Sequence, residues 1–130
     1  MGRHHISLNP DRSIVIVAVS GARNGETYAE GLPDFLKFYL AQPARCVLFD
    51  AVNAHCAIES TDAIAMAEAC GRQMPPSRVA IVGRDYSCAY SRLWRRALCL
   101  TGHDAMVFTS VAQAEVWLRT DVDADTLYVA

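Results

Sequence analysis

The last third of the chain, Arg78 to Leu118, admits few folds. RVAIVG, Arg78 to Gly83, is a short apolar run rich in β-branched residues and reads as a buried strand. DYSCAYSRLWRRALCL, Asp85 to Leu100, follows with almost no loop and has apolar residues at helical spacing. AMVF, Ala105 to Phe108, is a second strand, and SVAQAEVWL, Ser110 to Leu118, a second helix. Two strands joined through one helix run parallel, because a tight hairpin joins only antiparallel strands. This stretch alone therefore dictates a parallel strand pair inside an α/β domain.

The rest of the chain extends that pattern. Ile6–Leu8 and Ser13–Ser20 read as strands, and Asn9, Pro10 and Asp11 between them are strong turn formers, which predicts a β-hairpin. Gly21–Gly25 reads as a loop. Glu26–Ala41 reads as a helix in which Tyr28, Leu32, Phe35, Leu36, Tyr39 and Leu40 recur at helical spacing. Pro33 sits inside it, so the helix either kinks or begins there, and a kink is favoured. CVLFDA, Cys46–Ala51, is a buried strand, and Val52–Glu59 a loop. Ser60–Gly71 is the next helix, with Ser60 as N-cap and Gly71 at its C-terminal end. Residues 121–130 form an acidic tail whose LYV, Leu127–Val129, is a candidate edge strand. The expected fold is one α/β domain over residues 1–130: an N-terminal β-hairpin, then a mostly parallel, mixed five-stranded sheet with about four helices.

Composition excludes several classes. A chain of 130 residues buries roughly two-thirds of its extended surface, enough for a core without staples. Net charge is -2 and the pI about 6.0, so no global attraction draws it to nucleic acid or anionic membrane. The longest strongly apolar run, Ile14–Val19, is too short to span a bilayer. The N-terminus lacks the apolar core of a secretory signal. Five cysteines, at 46, 56, 70, 88 and 99, are odd in number and show no C-x-x-C spacing. They read as reduced thiols of a cytoplasmic protein, Cys46 and Cys99 packing as small hydrophobes. No metal-ligand spacing is present, and no cofactor is expected.

Taken together, the strand CVLFDA ending at Asp50, the strand RVAIVG, the helix with Tyr90, Arg92 and Trp94, and the closing VFTSVAQAEVWL resemble the STAS domain, in particular its SpoIIAA-like branch of small bacterial proteins. The resemblance covers roughly Ser13 to Leu118. It implies a regulatory or binding module and not an enzyme. In anti-anti-sigma factors of this superfamily, an Asp-Ser-Ser-Gly motif opens a helix and its serine is the phosphoacceptor. The matching positions are Glu59, Ser60, Thr61 and Asp62, so the hydroxyl pair is kept while the flanks change. Ser60 and Thr61 are thus the phosphorylation candidates. A phosphate there gains from the helix N-terminus and suffers from the carboxylates on either side. The likeness of this branch to CRAL-TRIO lipid carriers implies an apolar-ligand pocket.

The residues themselves supply candidates for such a pocket. Tyr28 and Tyr39 on one helix, and Tyr86, Tyr90 and Trp94 on another, are aromatic groups with polar handles, suited either to the core or to a cleft with one wet end. Arg84 and Arg92 are placed to meet a polar head group, with Arg95 and Arg96 on the same helix. Asp50 ends a parallel strand, where α/β ligand sites form. The leading expectation is a non-enzymatic domain that binds a small lipophilic or amphipathic ligand or docks a partner protein, with a homodimer left open. A phosphate switch at Ser60 ranks second. An enzyme using Cys56 with His55 and Asp50, or Cys56 with His103, ranks third.

Overall fold

The computed structural model describes residues 3–23, 25–56, 60–84 and 89–120, and among these the side chains of residues 23, 25, 28, 29, 56 and 60 are left undescribed. Five strands and four helices follow in the expected order: β1 (Arg3–Leu8), β2 (Val15–Arg23), α1 (Gly25–Leu40), β3 (Cys46–Cys56), α2 (Ser60–Gln73), β4 (Arg78–Val82), α3 (Ala89–Leu100), β5 (Asp104–Phe108) and α4 (Val111–Leu118). The sheet order is β1-β2-β3-β4-β5, with β1 antiparallel to β2 and every other pair parallel.

Alternation along the strands sorts the core into two layers. Val15, Val17, Val47, Val79 and Ile81 face α1, α2 and α3. Leu48, Ala80 and Val82 face α4, whose Ala114 and Leu118 are buried against them. All five residues of β4 are buried, as expected of a central strand covered on both sides. α2 lies between α1 and α3 and packs against both.

Local chemistry explains the boundaries. The hairpin turn is closed by Asn9, whose Oδ1 accepts from Ile14 N at 2.8 Å and whose Nδ2 donates to Asp11 at 2.7 Å. Asp11 also pairs with Arg119 just past α4, so the turn is tied to the far helix. Its hydrogen bonds, first from Ser13 and then from Arg119, hold its carboxyl well below the usual carboxylate range. Ser110 caps α4 by accepting from Gln113 N at 3.3 Å.

The structure departs from the sequence reading in several places. β2 runs on through Gly21 to Arg23, and β3 through Val52 to Cys56, where loops were expected. The two extensions pair with each other: Gly21 with Ala54, Ala22 with His55 and Arg23 with Cys56. Pro33 stays inside α1, in agreement with the favoured reading of a helix that runs through it. α2 continues past Gly71 to Gln73. Gly71 does not cap; a Cβ there would lie 2.0 Å from Thr101 Oγ1, so the missing side chain lets α2 approach the end of α3. On α3, Ser91, Trp94, Ala97 and Leu98 are buried, while Leu100 at its end is 74% exposed. Cys99 is exposed and Cys46 half-buried, while Cys70 is sealed in the core, the one buried cysteine among the described residues. Its burial pushes the thiol up to about 12. The start of the α3 segment at Asp85 and the LYV edge strand lie outside the described residues.

Candidate functional site

The feature that sets up a site is an irregularity in β3. Ala18 pairs with Asp50 and Ser20 with Asn53, so Val19 on β2 faces two residues, Ala51 and Val52, on β3. This is a β-bulge, which shifts the alternation beyond it by one. Ala51 and Ala54 therefore both line the face under the helices. Two of the sequence-predicted site residues hold the bulge. Asp50 accepts from Val52 N at 3.2 Å, and Arg84 Nε donates to Val52 O at 2.9 Å.

Above the bulge, at the C-terminal half of the parallel strands, α1, α2 and α3 leave a cavity of about 70 Å³. Its floor is Val17, Val19, Phe49, Ala51, Ala54 and Ile81. Its walls are Leu32 and Phe35 from α1, Met66 from α2, and Tyr90 and Trp94 from α3. The physical cause is a row of small groups, Gly31, Ala51 and Ala54, among large rings that cannot bend into the space they leave. Phe49 bridges the walls, with its ring 5.3 Å from Phe35 and 5.9 Å from Trp94, and Tyr90 continues the chain 6.1 Å from Trp94. The surface is almost entirely carbon. His4 of β1 lies at its border and bonds Asp34 of α1 at 3.1 Å.

The other expected residues are distributed as follows. Tyr39 is fully buried away from the cavity. It stacks on Phe35 at 5.4 Å and bonds Ser77 Oγ at 2.5 Å near the opposite end of the strands. Arg92 is exposed on α3 and does not line the cavity. The side chains of Tyr28 and Tyr86 lie outside the described residues. So does that of Ser60, the first residue of α2; Thr61 and Asp62 beside it are exposed. The sequence reading missed Phe49, Met66, Ala51 and Ala54. At a spacing of three on a regular strand the two alanines point to opposite faces, so nothing in the sequence marked the recess.

The nucleophile pairing of Cys56 with His103 is overturned. Cys56 ends β3, whereas His103 precedes β5 at the other end of the sheet. His103 is buried and fully engaged: Nδ1 accepts from Ser77 N at 3.2 Å, and Nε2 donates to Gly71 O at 2.7 Å. His55 is exposed on β3, and the side chain of Cys56 lies outside the described residues. Among the described residues, no three His, Cys, Asp or Glu side chains group as metal ligands, and no helix is long and apolar enough to cross a membrane.

No protein-family model and no curated protein matches the sequence. Solved structures do match. A protein of the DUF3478 family with a SpoIIAA-like fold, from Shewanella loihica PV-4, superposes with a TM-score of 0.61 at 21% identity, over 90% of this chain and 93% of that one. The anti-sigma factor antagonist SpoIIAA in its unphosphorylated form superposes with a TM-score of 0.65 at 9% identity, over 90% of this chain and 96% of that one. The chain has the SpoIIAA-like fold. At these identities the likeness is one of fold alone.

Proposed function

We propose that this SpoIIAA-like domain is a non-enzymatic binding module that takes a small lipophilic molecule, or the apolar end of an amphipathic one, between α1, α2 and α3. The carbon-lined cavity beside Trp94, Tyr90 and Phe49 carries this reading. Ligand pockets are mostly apolar with few polar groups, and α/β sheets place them at the carboxyl ends of strands, as here. At about 70 Å³ the cavity is smaller than the roughly 150 Å³ apolar cavity that takes up benzene, so a ligand of ring size enters by displacing a wall side chain. Met66 is suited to that movement, because an unbranched thioether repacks at low cost.

A phosphate switch at Ser60 or Thr61 is the weaker reading. SpoIIAA is a regulator with an unphosphorylated form, which gives that reading a precedent. Here Asp62 stands in the first turn of α2, and a like charge opposes a phosphate beside it.

Benzene titration, followed by the methionine methyl resonances, tests the binding reading. Met66 lines the cavity, whereas Met74 is buried outside it and Met106 is exposed on β5. The expected result is a saturable shift of Met66 alone. If the methyls of Met66, Met74 and Met106 drift together without saturation, the ligand reading fails and docking of a partner protein takes its place.

A further inference from the structure

A second site lies at the opposite end of the sheet. Cys46, Arg78 and Asp104 begin β3, β4 and β5 and pair in one row across the sheet. They floor an open cleft of about 810 Å³, with Ser13 on one side and Arg119 and Arg45 on others. Arg78 is the unusual group. It is 9% exposed, its Cζ lies 4.1 Å from the centre of the Trp117 ring, and its nearest counter-charge, Asp104 Oδ2, is 3.5 Å from Nε. Nε and Nη1 have no hydrogen-bond partner among the described residues. A guanidinium this deeply buried is costly unless its fork is bonded, and one carboxylate beyond hydrogen-bond length does not do that. Trp117 covers a face of the guanidinium, and Nε and Nη1 are shielded from solvent, so a ligand reaches the in-plane donors of the fork by displacing a neighbouring lining side chain.

The surroundings select the ligand. Arg119 is paired with Asp11, and Arg45 donates through Nη1 to the carbonyls of Gln42 and Ala44. Three guanidinium groups, Arg45, Arg78 and Arg119, face two carboxylates, Asp11 and Asp104, in the lining, an excess of one positive charge. A monoanion balances that excess, and a dianion overshoots it. A carboxylate also matches the planar fork bidentately. We propose that the cleft binds the carboxylate of a small molecule, with the Arg78 fork as its anchor. This site is separate from the apolar cavity, on the other end of the strands, and it stands or falls independently of it.

Nitrogen-15 NMR of the arginine side chains provides the test. Sodium acetate is titrated against sodium chloride at constant ionic strength. The expected result is a saturable shift of the Arg78 Nε–H resonance with low-millimolar affinity, absent in chloride and unchanged by Ala54→Val in the other cavity. In Arg78→Lys, which keeps the charge and loses the fork, the backbone amides of Ser77 and Asp104 should report at least a tenfold weaker affinity. The proposal is overturned if the wild-type resonance drifts equally in acetate and chloride, or if Arg78→Lys binds acetate as well as the wild type. Saturation by inorganic phosphate without saturation by acetate overturns the assignment to a carboxylate. The wild-type titration decides the matter alone if Arg78→Lys does not fold.

Discussion

Filling the apolar cavity should stabilise the protein and abolish ligand uptake together. Ala54→Val is the substitution of choice, because Ala54 lines the floor and sits on a strand, where a β-branched residue is well tolerated. Enclosed voids cost about 24 cal/mol per Å³, so a partly open 70 Å³ cavity costs at most about 1.7 kcal/mol. Two added methyl groups recover part of that, and fixing a valine rotamer returns a little. The net gain is about 0.5–1.5 kcal/mol. A chain of 130 residues unfolds with an entropy near 0.27 kcal/mol/K, so each kcal/mol moves Tm by about 4 °C. Calorimetry should show Tm rising by about 2–6 °C, and the benzene-dependent shift of the Met66 methyl should disappear. A gain in stability at the expense of binding is the signature of a functional void. A fall in Tm would mean that the floor is already packed. A rise in Tm with benzene binding intact would mean that the ligand sits elsewhere. Either result refutes the reasoning.

Gly71→Ala should destabilise by about 1–3 kcal/mol although it improves helix propensity by about 1 kcal/mol, because the new Cβ meets Thr101 Oγ1, which is held by the carbonyls of Ala97 and Leu98 at 2.9 and 3.1 Å. In a Thr101→Ala background the same change should cost at least ~1 kcal/mol less, and equal costs in both backgrounds would show that the contact is not the cause. Stability should also decline in alkali. Burial raises Tyr39 above its ordinary 10.0 and Cys70 from 9.0 to about 12, so in each case the fold favours the protonated form. Their contribution is fully present below the unfolded value and is lost as pH rises through the folded one, which for Cys70 is the window from about pH 9 to 12. Urea midpoints measured across that range should fall less steeply in Cys70→Ala than in the wild type; parallel slopes would count against burial as the cause.

The sequence revealed the parallel centre of the fold and concealed the site, and the same residues show why. RVAIV and CVLF are runs that only a strand covered on both faces tolerates, so β4 and the first part of β3 were legible. Gly21, Asn53 and His55 have little intrinsic strand preference, and β2 and β3 continue through them because each extension supplies the other's ladder partners. That pairing brings in the bulge, and the bulge turns Ala51 and Ala54 under the helices. The aromatic residues show a second limit. Helical spacing identifies which way a side chain points around an axis but not where along the sheet it lands. Tyr39 and Trp94 both occupy apolar stripes, yet Tyr39 reaches the N-terminal end of the strands beside Ser77, and Trp94 the C-terminal end beside Phe49. A cavity forms where neighbouring elements fail to meet. It follows from how three helices are set along one sheet, so no single element's periodicity can record it. Gly31, Ala51 and Ala54 come from two elements, and their shared smallness acquires meaning only when β3 and α1 are brought over the same strands.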